Sequence, residues 1–362
     1  MGQRGPIYEK FEYVAARLLS AGVTSFSPRA NQMTARKIGE LFDRFDAKHR
    51  NRAQYHIRLC FPEWTDAQVA ECARESTRNL MQLAFEILQT PQLLNRDSWR
   101  DHIKTRNLGA SIDVLNSDGP RILLTAHLGN WEVLGYFLAM IGYHTDTIAR
   151  PLDNVLINDW LMGIREKQGM RMVTKFDATD RMTSVLENDG LLAFTADQNA
   201  GSKGVFVPFF GRLASTYKSI GLLAMTYNTP IVCGYGHRLP GAFQFEVGTT
   251  DVILPEEWAD QPDPLYYITA RYSRAFERMV RLRPEQALWT HRRWKSRPRH
   301  ELLGKPLPKA LRRNLEALPW MDDATMQKIE NPPPLDPVEM KPAWSQRKER
   351  QRAKAAARAK TA

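Results

Sequence analysis

Between residues 108 and 282 short apolar runs alternate with segments of helical period, and this alternation constrains the fold more than any other feature of the chain. The strand-like runs are 122–126, 145–149, 191–195, 231–235 and 243–249. Helix-like segments at 131–141, 155–168, 178–187 and 217–227 separate them, and a longer one follows at 264–282. The pattern predicts an α/β domain, a mixed central sheet flanked by helices. Leu239-Pro240-Gly241-Ala242 divides the last two strand-like runs into an antiparallel hairpin.

Residues 8–93 read as helical. Phe11, Val14, Ala15, Leu18 and Leu19 form one apolar stripe, and Ile38, Leu41, Phe42 and Phe45 form a second. A core-facing role is expected for most of this region. The first stripe, with Arg and Lys beside it, also fits a helix lying in a membrane interface. A long helix is expected from Thr65-Asp66-Ala67 to about Leu88, closed by Pro91. The organisation predicted is a helical, membrane-associating segment over 1–107, an α/β domain over 108–303, and a basic tail over 304–362. That tail, rich in Pro and charge, is expected to lack fixed structure.

Much of the formal charge of +11 lies at the end of the chain. From Lys341 onward eight basic residues face only Glu349. Such a tail suits RNA, anionic lipid or no specific partner. Three scattered cysteines, Cys60, Cys72 and Cys233, suit neither a disulfide framework nor a zinc site. No signal peptide or membrane-spanning helix is predicted: residues 1–12 are polar, and the apolar stretch 13–26 is interrupted by Arg17.

The chemistry concentrates in Arg121-Ile-Leu-Leu-Thr-Ala-His-Leu-Gly-Asn-Trp-Glu132. In one continuous helix residues five apart point about 140° away from each other, so His127 and Glu132 meet only across a change of backbone geometry. The sequence supplies one: a strand to Ala126, a turn or helix cap at Gly129-Asn130, and a helix from Trp131. A neutral imidazole accepts a proton on one nitrogen while a carboxylate fixes its tautomer through the other. No Ser or Cys lies beside the pair, so the nucleophile indicated is a substrate hydroxyl. H-x4-E alone is a weak motif, and a strand-capping His with an ordinary helix-terminal Glu is the competing reading.

Other polar groups follow strand ends. Arg150, held out of helical geometry by Pro151, would stand at the carboxyl edge of the sheet, as an anion contact or a surface ion pair. Asp197 and Gln198 would enter the same crevice as His127, binding headgroup atoms or forming an Asx turn. Residues 205–211, Val-Phe-Val-Pro-Phe-Phe-Gly, read as an apolar loop that packs inward, lines an acyl tunnel or touches a bilayer. His291-Arg292-Arg293-Trp294-Lys295 suits nucleic acid, phosphorylated headgroups, an acidic carrier protein or plain solvent.

Together these blocks resemble the late lauroyl and myristoyl transferases of lipid A biosynthesis, within the lysophospholipid acyltransferase superfamily. The resemblance rests on Ala126-His-Leu-Gly-Asn-Trp-Glu132, Arg150-Pro-Leu-Asp-Asn154, Asp197-Gln198, 205–211 with Ala214-Ser-Thr216, Trp289-Thr-His-Arg-Arg-Trp-Lys-Ser-Arg-Pro298, and Phe61-Pro-Glu63 before a long helix. It spans roughly residues 10–300 and implies a glycerol-3-phosphate acyltransferase-like fold. It implies transfer of a fatty acyl group from an acyl carrier protein thioester or acyl-CoA to a hydroxyl of a glycolipid, a lipid A precursor first. The enzyme would sit peripherally or monotopically on the cytoplasmic face of the inner membrane, with no metal or redox cofactor and no nucleic acid partner. By the resemblance His127 is the general base and Glu132 its partner. Arg150 holds acceptor phosphate or orients the site, and Asp197 and Gln198 line the pocket. Asn130, Arg292 and Arg293 count with the substrate-binding residues, and backbone N–H groups of 129–131 are candidates for the oxyanion site. The first helix is less apolar than in that family, and the basic tail extends past the matched blocks. A thioesterase on the same site, or a lipid- or nucleic-acid-binding protein acting through the tail, are the alternatives.

Overall fold

The computed structural model describes residues 5–149, 152–166, 169–174 and 178–333. Nine strands are present among them: β1 (Ile103–Arg106), β2 (Arg121–Thr125), β3 (Thr145–Ala149), β4 (Arg171–Thr174), β5 (Leu191–Thr195), β6 (Val205–Phe209), β7 (Arg212–Thr216), β8 (Ile231–Arg238) and β9 (Phe245–Ile253). Seven form one mixed sheet in the order β1-β9-β8-β2-β5-β3-β4. β2, β5, β3, β4 and β8 run parallel; β9 is antiparallel to β8, as the Leu239–Ala242 turn predicts.

Alternation along the strands sorts side chains to two faces. Leu123, Ala193 and Val232 pack beneath the helix Trp131–Met140. Ile122, Leu124, Leu192 and Ile231 face the helix Pro264–Leu282 and the β6–β7 hairpin. The stretch 205–211 is therefore not a loop. It forms β6 and a two-residue turn, with Phe210 and Gly211 both at positive φ (53° and 67°), the geometry that closes a tight hairpin. It packs inward on the face away from His127.

The N-terminal region is helical over Pro6–Ser25, Pro28–Phe45, Ala47–Cys60 and Asp66–Leu93. The last of these is opened by a capping box between Thr65 and Gln68. The outward apolar residues are the exception to a core-facing reading. Ile7, Phe11, Val14, Leu18 and Leu19 are exposed, and so are Leu41, Phe42 and Phe45 of the second stripe. No helix of the described residues is long and apolar enough to cross a membrane. The opposite edge of the first helix binds the helix Val155–Glu166: Asn154 Nδ2 donates to Glu9 O (3.0 Å) and Glu12 Oε2 (2.9 Å), and the Arg17 guanidinium lies over the Trp160 ring.

Residues 304–333 are also more ordered than their composition suggests. Helices Lys309–Glu316 and Asp323–Glu330 bury Leu315, Leu318 and Ile329 against the main core. Leu311, Leu315 and Leu318 recur at helical spacing among prolines and charges, which obscure the stripe in composition. Residues 334–362, the most basic part, lie outside the described residues.

Candidate active site

Two neighbouring parallel strands end in the same way, Leu-Thr-Ala-His127 on β2 and Phe-Thr-Ala-Asp197 on β5. Thr125 and Thr195 are paired in register, and Ala196 N donates to Thr125 O at 3.0 Å. Each polar residue stands two positions past its Thr, so the two emerge side by side at the carboxyl edge of the sheet. His127 Nδ1 meets Asp197 Oδ1 at 2.6 Å. With Asp197 ionised, Nδ1 carries the proton, and Nε2 is the acceptor facing the cleft. Gln198 Nε2 stands 3.5 Å from it, at the outer limit of a hydrogen bond.

Burial disfavours the imidazolium, but the charge and hydrogen bond of Asp197 outweigh it. Glu132 adds to them, and the His127 pKa is raised above its ordinary value. Burial likewise opposes ionisation of Asp197, yet His127 and, more weakly, His291 hold that carboxyl below the usual range. His291 is depressed to about 4 by burial and nearby cations, and its neutral Nε2 accepts from Asn199 N at 3.0 Å.

The backbone between His127 and Glu132 changes geometry where the sequence indicates. Gly129 has φ 59°, and a Cβ there would lie 2.1 Å from Gly236 O, so only glycine fits. Asn130 caps the helix by accepting from Val133 N (2.9 Å). Glu132 does lie in the first helical turn. Its carboxylate, however, is gripped by Arg165, with Nε at 2.8 Å and Nη2 at 2.6 Å. The hydrogen-bonded partner of His127 is Asp197, not Glu132. The helical turn directs Glu132 toward Val155–Glu166, whereas the register of β2 and β5 brings Asp197 to the ring.

The remaining predicted site residues divide. Gln198 lines the cleft. Asn130 is fully buried and donates from Nδ2 to Glu86 Oε2 at 2.7 Å, within a buried network of Glu86, Arg238 and Asn79; it does not reach the cleft. Arg293 is buried too, with Nη1 donating to Ser215 O (2.5 Å) and Nη2 to Thr216 Oγ1 (2.6 Å), tethering its own segment to β7. Arg292 is half-buried and absent from the cleft lining. Arg150 lies outside the described residues. The N–H groups of Gly129 and Asn130 donate to Gln286 O (3.0 Å) and Gly236 O (2.7 Å), which removes both from any oxyanion site. The three cysteines are buried and unpaired, and burial raises each thiol, Cys72 to about 12, so no thiolate nucleophile is at hand.

Arg165, which the sequence did not single out, is the arginine that lines the cleft among the described residues. It approaches from a helix 33 positions beyond Glu132, and no spacing rule links the two. The cleft encloses about 530 Å³. Its polar mouth carries His127, Gln198, Glu132 and Arg165, and its floor is made by Leu123, Leu134, Met170, Met172 and Ala193. Gly135 leaves room there: a Cβ would stand 2.8 Å from Met170 Cε. The Thr125 hydroxyl, also in the lining, has no hydrogen-bond partner among the described residues.

A His–carboxylate pair beside a cavity with apolar walls is an arrangement suited to drawing a proton from a hydroxyl. Comparison with known proteins agrees. Residues 12–296 match the family described as bacterial lipid A biosynthesis acyltransferase, and the chain belongs to that family and is an acyltransferase. It is 25% identical over 272 residues to the lipid A biosynthesis lauroyltransferase of Escherichia coli K12, covering 72% of this chain and 84% of that protein. It is 24% identical over 260 residues to a lipid A biosynthesis acyltransferase of Haemophilus influenzae, covering 70% and 78%. With lipid A biosynthesis acyltransferase 2 of Shigella flexneri it shares 21% identity over 289 residues, covering 78% and 88%.

Proposed function

We propose that the protein transfers a fatty acyl group from an acyl thioester, on acyl carrier protein or CoA, to a hydroxyl of a lipid A precursor, with His127 as the general base and Asp197 as its partner. The observation that carries the assignment is the 2.6 Å contact from His127 Nδ1 to Asp197, which leaves Nε2 facing the cleft. Nε2 takes the hydroxyl proton as the oxygen attacks the thioester carbonyl. The C–O bond forms, the C–S bond breaks, and the proton passes from the imidazolium to the departing thiolate. Asp197 keeps the productive tautomer and stabilises the imidazolium. The Gln198 amide, 3.5 Å from His127 Nε2, is assigned to the oxyanion.

Glu132 supports the imidazolium at longer range and holds Arg165 across the mouth, pinning the helix Val155–Glu166 over the cleft. The acyl chain occupies the apolar floor. The exposed stripe Ile7, Phe11, Val14 and Leu18 lies in the membrane interface, attaching the enzyme peripherally to the membrane that holds its acceptor. The test is mass spectrometry of reactions containing purified protein, a lipid A precursor and each acyl thioester in turn. A product heavier by one acyl group, lost in His127→Ala, supports the reading. Free fatty acid released at the same rate without acceptor refutes it.

A further inference from the structure

The backbone ladder between β2 and β5 ends at the bond from Ala196 N to Thr125 O (3.0 Å). Past that point both strand ends are bonded to a third stretch of chain, residues 286–296. On the β2 side, Leu288 N donates to His127 O (3.0 Å) and Gly129 N to Gln286 O (3.0 Å), so that Leu128 and Ala287 pair as an isolated antiparallel bridge. On the β5 side, Asn199 makes three bonds. Its N–H donates to His291 Nε2 (3.0 Å), Nδ2 donates to Ser296 Oγ (3.1 Å), and Oδ1 accepts from Ser296 N (3.2 Å). One stretch of chain thus holds His127 by its own carbonyl and Asp197 through a residue two positions away.

That stretch is itself fixed. Ser76 Oγ donates to Ala287 O (2.5 Å), and His56 Nδ1 to Trp289 O (2.8 Å). Trp289 and Trp294 are buried in the main core, and Arg293 is bonded to β7. None of residues 286–296 lines the cleft. The residue types suit the task. An Asn side chain carries one donor group and one acceptor, which match the hydroxyl and N–H of Ser296 reciprocally. His291 accepts an N–H only while Nε2 is unprotonated. Burial lowers its pKa to about 4; Arg293, His127 and His56 add to that and Asp197 opposes it, so the acceptor persists at neutral pH.

We propose, on the basis of the His127–Asp197 pairing assigned to the reaction, that Asn199 and His291 are positioning residues for acyl transfer. Through residues 286–296 they set Asp197 and Gln198 in place against His127 without touching substrate. A displacement of about 1 Å at a reacting group costs on the order of 10² in rate, which is the scale on which such a hold matters.

The test compares three variants of the full chain with two readouts. His291→Leu removes the acceptor, His291→Gln returns one near the place of Nε2, and Asn199→Ala removes the pair with Ser296. In acyl transfer, His291→Leu and Asn199→Ala should lower kcat per folded molecule about 10- to 100-fold with acceptor KM within about twofold, while His291→Gln should stay within about threefold of the unaltered chain. The second readout needs no substrate: NMR titration of histidine-labelled protein, with the His127 signal assigned by its loss in His127→Ala. Asp197 and, more weakly, Glu132 raise the His127 pKa against burial. Glu132 and its partner Arg165 are untouched in these variants, so a loosened Asp197 should move the His127 titration downward in both His291→Leu and Asn199→Ala. Where either fails to fold, Ser296→Ala, which takes away only a hydroxyl, should show a smaller shift in the same direction. An unmoved His127 titration, full kcat in both variants, or a His291→Gln as impaired as His291→Leu overturns the proposal. A downward shift in a chain that transfers no acyl group would instead refute the reaction and leave the positioning role standing.

Discussion

Replacing Asp197 by Asn separates the two carboxylates that could serve His127. The 2.6 Å contact is a charge-assisted hydrogen bond, which contributes roughly 1.5–3 kcal/mol. If it is made in full only to the imidazolium, its loss slows transfer about 10- to 150-fold, at about 1.4 kcal/mol per factor of ten. The amide also presents N–H to Nδ1 and drives the ring proton onto Nε2, where the base must be empty; a comparable tautomer error in a hydrolase triad costs about 10⁴. A fall in kcat/KM of about 10²–10⁴ is therefore expected, with little change in acceptor KM. The pH profile supplies the decisive sign. Asp197 and, more weakly, Glu132 raise His127 against the opposing effect of burial. In the unaltered enzyme the alkaline-rising limb should lie above about 6.5, the ordinary His value. In Asp197→Asn, burial prevails and the limb should move below it. In Glu132→Gln it should move only slightly. The assay is acyl transfer to a lipid A precursor followed by mass between about pH 5 and 9. If Asp197→Asn kept activity within about threefold, with its limb unmoved, while Glu132→Gln lost both, the Asp197 assignment would be wrong.

Four further outcomes follow from the same geometry. Arg165→Ala should reduce kcat and raise acceptor KM together by about tenfold each, because the helix Val155–Glu166 loses its bidentate hold on Glu132; an unchanged KM would show that the pair does not shape the mouth. Gly135→Leu, which pushes Met170 into the cavity, should cut kcat/KM for long acyl donors at least tenfold more than for short ones, and uniform loss would place the chain elsewhere. Phe11→Asp with Leu18→Asp should lower binding to anionic vesicles about 10²- to 10⁴-fold without altering the melting temperature, since each of the two buried side chains contributes about 1.5–3 kcal/mol; unchanged sedimentation with vesicles would exclude this face. His237 and His291, lowered to about 3 and about 4 mainly by burial, are neutral when folded and protonate only on unfolding. Their contribution is complete above about pH 6.5 and is lost as pH falls toward 4, at roughly 1.4 kcal/mol per pH unit each. Urea unfolding should show that slope, and His237→Phe should reduce it by about half.

The sheet was legible because its strands are buried on both faces and read as continuous apolar runs bounded by turns, as 122–126 and 191–195 do. β1 and β4 were not. Each has four residues at a sheet edge, and β1 exposes three of them, which leaves too little apolar pattern. β6 and β7 were hidden by Pro208 inside the run and by a turn of Phe210-Gly211, where an aromatic stands at positive φ in place of the usual Asn or Gly. His127 could be found because it ends a strand beside a glycine that backbone contact requires. Its partner was harder, since a carboxylate five positions away in sequence draws attention from one seventy positions away. The cue lay in the repeated ending: Thr-Ala-His and Thr-Ala-Asp on two runs of equal length. Parallel neighbours in register carry corresponding residues to one edge, so matched strand endings are a pairing rule. Local spacing, by contrast, did not indicate the hydrogen-bond partners of Glu132 and Asn130, which are Arg165 and Glu86.

That division of labour explains why the two charged networks of the site stay separate. The strand edge supplies His127 and Asp197, fixed by a continuous ladder of backbone hydrogen bonds. The helix start supplies Glu132 outward, to Arg165, and Asn130 inward, to Glu86 and Arg238. The inward network is buried and nearly satisfied, so it anchors the helix rigidly to the sheet. The outward pair stands at the mouth, on a helix whose start, Asn154, is bound to the first helix on the edge opposite its exposed stripe. Of these attachments the outward one is the least constrained, because the others are held by strand register and core packing. Substitutions in the inward network should therefore appear first as lost stability, and those at Arg165 as altered use of the acceptor. Glu86→Gln strands the buried Arg238 charge and should cost about 3–5 kcal/mol of stability, while the folded fraction keeps its pH profile. A shifted pH limb in that variant, read in the same acyl-transfer assay, would mean that the helix start and strand edge are one coupled network after all.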